Sequence, residues 1–234
     1  MKKLMILIMA VFLSSCATTS IENTQKATAH YRLGVSYYGE NNIQKAFVEF
    51  RKAFELNPED KDVLNMTGII YLLHYDDYPK AIDFFQKAVS VDPNFSEAHN
   101  NLGFAYEKSK KFNEAIESYK KALSNLLYMT PEKAYNSLGR VYYRLGKYDA
   151  AIDAYKNSLT RMPELYISYY GLALCYNAKG RYGDASLAIT KAVEMDPLYK
   201  GSKSKAMSDL SRRKLNARGE DEKDIADYLD ILKY

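Results

Sequence analysis

The two cysteines and three histidines of this 234-residue chain are the side chains best suited to covalent or metal chemistry. Cys16 stands in the stretch FLSSCATTS, directly after an apolar run, and Cys175 lies 159 residues later. Two cysteines so far apart are not the dense disulfide framework of a small secreted fold. Cys16 therefore needs another explanation.

A short signal-like segment precedes Cys16. Lys2 and Lys3 are followed by a ten-residue apolar stretch, residues 4–13. A helix needs about 20 apolar residues to span a bilayer, so this stretch reads as a secretory signal instead. The sequence therefore predicts that residues 1–15 are a removable signal peptide.

The four residues Leu13-Ser14-Ser15-Cys16 resemble the lipobox of bacterial lipoproteins, in which the cysteine is acylated and becomes the first residue of the mature chain. Acyl chains on Cys16 would hold the protein on a membrane, since each buried CH₂ contributes about 0.8 kcal/mol. Ala17 stands where an aspartate retains many lipoproteins at the inner membrane, so the resemblance implies the outer membrane, facing the periplasm. The alternative is an ordinary signal peptide with a chance cysteine at its cleavage site.

No constellation in the sequence indicates catalysis or a cofactor. It has no glycine-rich phosphate loop, no Cys and His cluster at metal-ligand spacing and no nucleophile elbow. His30 and His99 share one register of the repeat described below, which favours packing, and His74 lies in a turn with too few further ligands for a metal. Cys175 is expected to be a half-buried, inert thiol. We expect no enzyme, no metal, no cofactor and no small-molecule substrate.

The composition fits a globular chain without a strong electrostatic partner. Hydrophobic residues make up 47% and charged residues 26%, and the formal net charge is +4. A nucleic-acid surface needs clustered Lys and Arg, whereas here acids are interleaved with them. The run Arg212-Arg213-Lys214 is more typical of a solvated helix face than of a site for acidic lipids. Nucleic acid is therefore not an expected partner.

One pattern recurs five times: a small residue, a tyrosine three positions later, an alanine, and a bulky residue four positions after the alanine. Most copies end on a proline, and the small residues are 34, 35, 36 and 34 positions apart. The members are Gly34, Gly68, Gly103, Gly139 and Ala173; Tyr37, Tyr71, Tyr106, Tyr142 and Tyr176; Ala46, Ala81, Ala115, Ala151 and Ala185; Phe50, Phe85, Tyr119, Tyr155 and Ile189; and Pro58, Pro93, Pro163 and Pro197. Such a period is typical of stacked two-helix repeats.

The spacing predicts two antiparallel helices per repeat, with small residues where the two helices approach and aromatic residues at the intervening turns filling the space between neighbouring repeats. Proline ends the second helix, because it has no N–H to donate. The pattern resembles the tetratricopeptide repeat, which implies an all-α, right-handed superhelical solenoid of antiparallel helix pairs over residues 27–199. The five repeats are predicted at 27–60, 61–95, 96–131, 132–165 and 166–199.

Two stretches depart from the strict period. HYDDYPKA, residues 74–81, adds one residue to the turn inside repeat 2, and SNLLYMTPEKA, residues 124–134, adds two between repeats 3 and 4. A residue inserted within a helix would rotate every later side chain off the packed face, so both additions should lie in loops.

The flanking segments lack the repeat. Residues 16–26 are polar after the cysteine and have no helical stripe, so the sequence predicts a tether. Residues 200–234 are charged, and their last part carries apolar residues at i, i+3, i+4 and i+7, which predicts an amphipathic helix. Its apolar members are Ile225, Tyr228, Leu229 and Leu232. We expect this segment to cap the last repeat; a dedicated partner-binding helix is the alternative.

The first helices are predicted to carry the binding site, because in tetratricopeptide arrays the residues three before and one after the glycine register point into the inner groove. The predicted groove residues are Tyr31, Val35, Asn65, Ile69, Leu72, Asn100, Phe104, Asn136, Arg140 and Tyr170. The asparagines would form a row of amides for an extended peptide, and the aliphatic residues with Phe104 an exposed apolar strip. The alternative is that these side chains pack against the tether or one another.

The lipobox, the short tether and about five repeats together resemble the PilF/PilW-type lipoproteins of type IV pilus biogenesis, also called pilotins. The resemblance is sharpest in residues 102–146, LGFAYEKSKKFNEAIESYKKALSNLLYMTPEKAYNSLGRVYYRLG. It implies a protein partner, the pilus secretin, which the lipoprotein helps to reach the outer membrane and to multimerise. The family is usually described with six repeats, and no sixth is recognisable after Tyr199.

A general cell-envelope scaffold is the alternative function. Other tetratricopeptide lipoproteins organise peptidoglycan hydrolases or outer-membrane protein assembly. Both functions use the same kind of groove, because repeats specify a scaffold rather than a partner.

Overall fold

The computed structural model describes residues 22–234, so the predicted signal peptide and Cys16 lie outside the described residues. Within that range the chain forms twelve helices and no strand. The predicted all-α class is therefore confirmed. The chain divides into two compact halves, an N-terminal half that ends at Ser109 and a C-terminal half that begins at Lys110.

The helices follow one another in antiparallel pairs. The first helix, α1, is described from 22 to 39. The others are α2 Ile43–Leu56, α3 Lys61–Leu73, α4 Tyr78–Val91, α5 Ser96–Lys108, α6 Phe112–Ser124, α7 Pro131–Arg144, α8 Tyr148–Arg161, α9 Tyr166–Ala178, α10 Tyr182–Met195, α11 Lys203–Lys214 and α12 Gly219–Ile231.

Proline sets the end of the second helix in four repeats. Helices α2, α4, α8 and α10 each stop two residues before a proline, as α2 does at Leu56 before Pro58. The residue before proline disfavours the helical conformation, which explains the constant distance. After Pro58, helix α3 starts at a side-chain cap, because Asp60 accepts hydrogen bonds from the backbone N–H groups of Asp62 and Val63.

The start of α1 corrects the predicted tether. Residues 22–26, which lack an apolar stripe, are helical. Lys26 Nζ lies 2.7 Å from Glu22 Oε1, one helical turn away, and Ala27 is fully buried. An i,i+4 ion pair stabilises a helix by about 0.3–0.5 kcal/mol, and the packing of Ala27 holds the adjoining turn in place. The tether prediction is therefore wrong for these five residues.

Both additions to the period lie in loops, as predicted. The turn inside repeat 2 has four residues, 74–77, where the other repeats have three, and the join between α6 and α7 has six, 125–130, where the other joins between repeats have four. The next-to-last residue of every turn inside a repeat has a positive φ. These residues are Asn41, Asp76, Lys110, Gly146 and Gly180, with φ from 50° to 70°.

Substitutions at two equivalent turn positions should change the stability of the protein in opposite directions. A side chain in the left-handed region is strained, so Gly146→Ala should destabilise the protein and Lys110→Gly should stabilise it, each by about 0.5–1 kcal/mol. Urea titration followed by circular dichroism measures both. Gly183→Ala is the matched control, because Gly183 lies in α10 without a positive φ and with open space around it. Destabilisation by Lys110→Gly would contradict the assigned turn conformation.

Aromatic rings of the second helices lie directly over glycines of the first helices. In the N-terminal half, a Cβ placed on Gly34 would be 2.7 Å from the Phe50 ring, and one on Gly68 would be 2.7 Å from the Phe85 ring. Both rings are fully buried. The glycines of repeats 1 and 2 are therefore needed because a ring takes the space of a side chain.

The last two helices, α11 and α12, pack on the fifth repeat, which lies in the C-terminal half. Ile225 and Leu232, two members of the predicted amphipathic stripe, are 6% and 2% exposed and join the core formed by α9 and α10. Tyr228 and Leu229 pack against the same core. The predicted amphipathic helix is thus confirmed as α12, which covers the apolar surface of the last repeat.

Candidate functional site

The predicted groove residues all lie on first helices. Tyr31 and Val35 are on α1, Asn65, Ile69 and Leu72 on α3, and Asn100 and Phe104 on α5, all in the N-terminal half. Asn136 and Arg140 are on α7 and Tyr170 is on α9, in the C-terminal half. We call the surfaces that these residues occupy the N-terminal face and the C-terminal face.

The apolar strip of the N-terminal face is narrower than predicted. Val35 is 41% exposed, and Ile69 and Phe104 are partly buried at the edge of the core. Leu72 is only 3% exposed and belongs to a cluster with Phe85 and Leu102. Its predicted exposure is wrong, because Leu72 lies one turn beyond Gly68 on the side of α3 that meets α4 and α5.

The asparagines have different surroundings. Asn65 is 8% exposed and its Oδ1 accepts a hydrogen bond from Asn101 Nδ2 at 3.0 Å. Asn136 is 5% exposed and its Nδ2 donates to Ser168 Oγ at 2.8 Å. These two amides join neighbouring first helices within their own halves. Their role in partner binding stays a prediction.

The Asn100 side chain has a buried oxygen without a donor. Its Oδ1 accepts no hydrogen bond from any group within residues 22–234. A buried acceptor without a donor costs about 1–3 kcal/mol. Because this oxygen has almost no accessible surface, a bound chain could donate to it only after the side chain turned outward.

The C-terminal face carries a cavity of ≈ 510 Å³. Three predicted groove residues, Asn136, Arg140 and Tyr170, belong to its lining. One wall comes from α7 and α9, and the opposite wall from α11 and α12. Its further lining includes Tyr143, Arg144, Tyr166, Leu174, Asp196, Leu210, Arg213, Asp224 and Tyr228.

Helix α12 is held on this face chiefly by the carboxylate of Asp224, which is more buried than that of Glu220. Asp224 accepts hydrogen bonds from Arg144 Nη1 at 3.0 Å and Nη2 at 2.5 Å, and from the Tyr143 hydroxyl at 3.2 Å. The Arg144 and Asp224 side chains are 16% and 13% exposed. One turn further along α12, the Tyr228 ring meets the Tyr170 ring with 5.2 Å between centroids. A bidentate ion pair that is this buried fixes the relative orientation of the two side chains in addition to pairing their charges.

The cavity tyrosines are hydrogen-bond donors. Burial raises the pKa of Tyr170, Tyr143 and Tyr228, with nearby carboxylates adding to the effect. All three are therefore neutral at pH 7. Tyr170 directs its hydroxyl towards Asp196 Oδ2, 3.4 Å away. The lining thus combines aromatic surface, guanidinium groups and neutral hydroxyls, which suits recognition of another chain rather than proton transfer.

Sequence reasoning missed the contact of α12 with α7. The stripe of Ile225, Tyr228, Leu229 and Leu232 predicted a helix that caps the last repeat, but not its hydrogen bonds to Tyr143 and Arg144. The available signal was Asp224, which is four residues before Tyr228 and so shares its helix face. Arg144, the last residue of α7, gave no sign in the sequence of a partner 80 positions away.

The histidines and Cys175 lie in packed or solvated positions. His30 Nδ1 is 2.6 Å from Glu49 Oε2, His99 Nε2 is 2.9 Å from the Pro93 carbonyl oxygen, and His74 is exposed. Cys175 is fully buried rather than half-buried. Within residues 22–234 no three potential metal ligands come together, and none of the helices is long and apolar enough to cross a bilayer.

Paired helices with this glycine-to-ring packing define the class of protein. Family models described as tetratricopeptide repeats match residues 27–60, 76–110, 95–164 and 136–199. The chain is a tetratricopeptide-repeat protein, a class that generally mediates protein interactions.

Among individual proteins, the chain is similar to the type IV pilus assembly protein PilF of Pseudomonas aeruginosa. The two are 29% identical over 139 residues, which is 55% of this chain and 53% of PilF, so the match spans about half the length of that relative.

Two solved structures from type IV pilus biogenesis share the fold. The structure of Pseudomonas aeruginosa pilF has a TM-score of 0.70 and 20% identity and covers 88% of this chain and 90% of its own. The structure of PilW, described as a widely conserved type IV pilus biogenesis factor, has a TM-score of 0.71 and 21% identity and covers 86% of this chain and 90% of its own. At these identities they support the fold alone.

Proposed function

We propose that this chain is an outer-membrane lipoprotein that binds a protein partner on its N-terminal face and assists localisation and multimerisation of the type IV pilus secretin. The lipobox-like residues ending at Cys16 support the anchor. The similarity to a pilus assembly protein supports the process, and the resemblance to pilotins supports the secretin as the partner. The proposed action is binding, not catalysis.

The observation that carries the proposal is the difference between the two faces. On the N-terminal face, Val35 is exposed and Asn100 Oδ1 lacks a donor. On the C-terminal face, α12 already contacts Tyr143, Arg144 and Tyr170. A partner segment would therefore place apolar side chains near Val35 and Phe104, and Asn100 would have to turn outward to accept a backbone N–H.

The lipid anchor would place the bound partner at the membrane. Acyl chains on Cys16 would hold the N-terminal face close to the membrane, which raises the effective concentration of a bound subunit at that surface. Multimerisation would then be favoured at the outer membrane over the periplasm.

Val35→Glu should weaken capture of the secretin at least about tenfold, because a carboxylate would have to lose water at an apolar contact. Pull-down of the secretin with purified full-length chain in detergent measures this. Val48→Glu is the matched control: Val48 is 49% exposed but lies on the second helix, α2. Since both positions are exposed, neither change should lower the melting temperature. Equal loss of binding by both variants would contradict the N-terminal face as the site.

Cys16→Ala should leave the chain out of the outer-membrane fraction while it still binds its partner, and secretin multimers should become scarce or mislocalised. Cell fractionation with immunoblotting measures both. Cys175→Ala is the control, since it removes the other thiol and should leave fractionation unchanged. Normal outer-membrane multimers in the Cys16→Ala strain would contradict the proposal, and co-purification of a peptidoglycan hydrolase instead of a secretin would favour the scaffold function.

A further inference from the structure

The six-residue loop 125–130, between α6 and α7, exposes three large apolar side chains. Leu126 is 98% exposed, and Leu127 and Met129 are each 83% exposed. Other joins between repeats have four residues, so this loop is longer by two. Exposed leucines occur singly on many proteins, but three within four positions form a concentrated apolar tip.

The loop is held in its conformation by Asn125, which precedes the tip, and by the buried Tyr128. Tyr128 is only 8% exposed and its N–H donates to the Asn125 carbonyl oxygen at 3.2 Å. The Leu127 N–H donates to Asn125 Oδ1 at 3.0 Å. With Tyr128 turned inward, the residues on either side of it are directed outward. The exposure of the three apolar side chains is thus built into the loop.

The charges near the loop favour an anionic surface. Residues 125–131, NLLYMTP, contain no side chain of a charged residue type. Lys121 precedes the loop and Lys133 follows it, and both are exposed, whereas Glu132 is 5% exposed. Exposed lysines flanking an apolar tip are attracted to acidic headgroups while the tip enters the hydrocarbon boundary.

We propose that loop 125–130 inserts Leu126, Leu127 and Met129 into the surface of a lipid bilayer. A bilayer accepts any exposed apolar side chain, whereas a protein interface needs a shaped surface around it. Side chains that are 83–98% exposed make few contacts with their neighbours and so build no such surface. This contact is separate from the N-terminal face and would add a second attachment to the membrane.

The test uses a fluorescent probe in the full-length chain, reconstituted into vesicles of phosphatidylethanolamine and phosphatidylglycerol. Leu127→Cys is labelled with an environment-sensitive dye, and Leu187→Cys is the matched control, since Leu187 is 73% exposed on α10. Burial raises the pKa of Cys175 to about 12, so its thiol should not label at pH 7. Mass spectrometry of the labelled chain verifies that Cys16 carries no dye.

Spin-labelled lipids should quench the probe at position 127 at least about threefold more than the probe at 187, with a blue-shifted emission at 127 alone. Adding Leu126→Ser and Met129→Ser should remove most of this quenching without changing the melting temperature. Flotation of the vesicles reports attachment separately. A chain that floats with an unquenched probe at 127 overturns the loop proposal alone, and a chain that does not float overturns it together with the lipid anchor. A blue shift without lipid quenching also overturns it, in favour of protein docking.

Discussion

Asp224→Ala is expected to release helix α12 from the C-terminal face. Asp224 is bound by both Nη atoms of Arg144 and by the Tyr143 hydroxyl. Removal of its carboxylate leaves a mostly buried guanidinium with the exposed Glu220 and the Tyr143 ring as partners. Breaking a buried pair costs about 3–5 kcal/mol, and we take about 2–3 here because both groups retain some contact with water. Amide hydrogen exchange of residues 219–231 should then accelerate about 30- to 150-fold.

The control for Asp224→Ala is Asp230→Ala, which removes the same charge from the same helix. Asp230 pairs with Lys233 on the surface, where both side chains are 64% exposed, so its loss should change exchange by less than about tenfold. If amide exchange in the Asp224→Ala variant is as slow as in the unchanged protein, apolar packing alone holds α12. The cavity on this face would then be permanently closed on that side.

Gly171→Ala is expected to destabilise the protein by about 1–3 kcal/mol, the usual cost of overpacking a core. A Cβ on Gly171 would overlap the Tyr155 ring, with Cε1 at 2.5 Å, and the same ring lies 2.8 Å from a Cβ on Gly139. Tyr155 is 4% exposed and is therefore confined between α7 of its own repeat and α9 of the next.

The effect of Gly171→Ala on stability should reverse its sign when leucine replaces Tyr155. In a Tyr155→Leu background, Gly171→Ala should stabilise the protein by up to about 1 kcal/mol, because alanine is the better helix former and the space is now open. Urea titration of the four variants of this cycle measures both effects. Destabilisation of equal size in the two backgrounds would show that the ring is not the obstacle.

Helix positions could be predicted from this sequence because the repeat imposes one packing solution several times. Gly34, Gly68 and Gly139 each face a ring of the second helix, so their spacing to Phe50, Phe85 and Tyr155 reports the geometry of a helix pair. Proline at a fixed distance after the second helix adds an independent boundary signal. These local signals agree with the repeat period, which explains why the helix positions could be predicted.

The burial of individual groove residues was less predictable, because register gives the direction of a side chain but not the reach of its neighbours. Leu72 has the same apolar character as Val35, yet α4 and α5 bury it while Val35 remains exposed. The amide of Asn136 is taken by Ser168 of the next repeat. Contacts of this kind depend on residues some 30 positions away and leave no periodic trace.

The segments outside the repeat were the hardest to predict. Residues 22–26 have no apolar stripe, and their helix is supported by one ion pair and the packing of Ala27. Helix α12 had a clear stripe, but its polar contact with α7 centres on Arg144, which pairs with Asp224 and Glu220. A single long-range pair that does not recur from repeat to repeat leaves no signal in the sequence.

Photo-crosslinking in living cells tests the central claim most directly, which is that a secretin segment lies on the N-terminal face. A benzophenone amino acid at position 35 should form an adduct with the pilus secretin, identified by mass spectrometry. The same amino acid at position 48, equally exposed on α2, should form none. Adducts with the secretin at 48 but not at 35, or no secretin adduct at either position, would contradict the account.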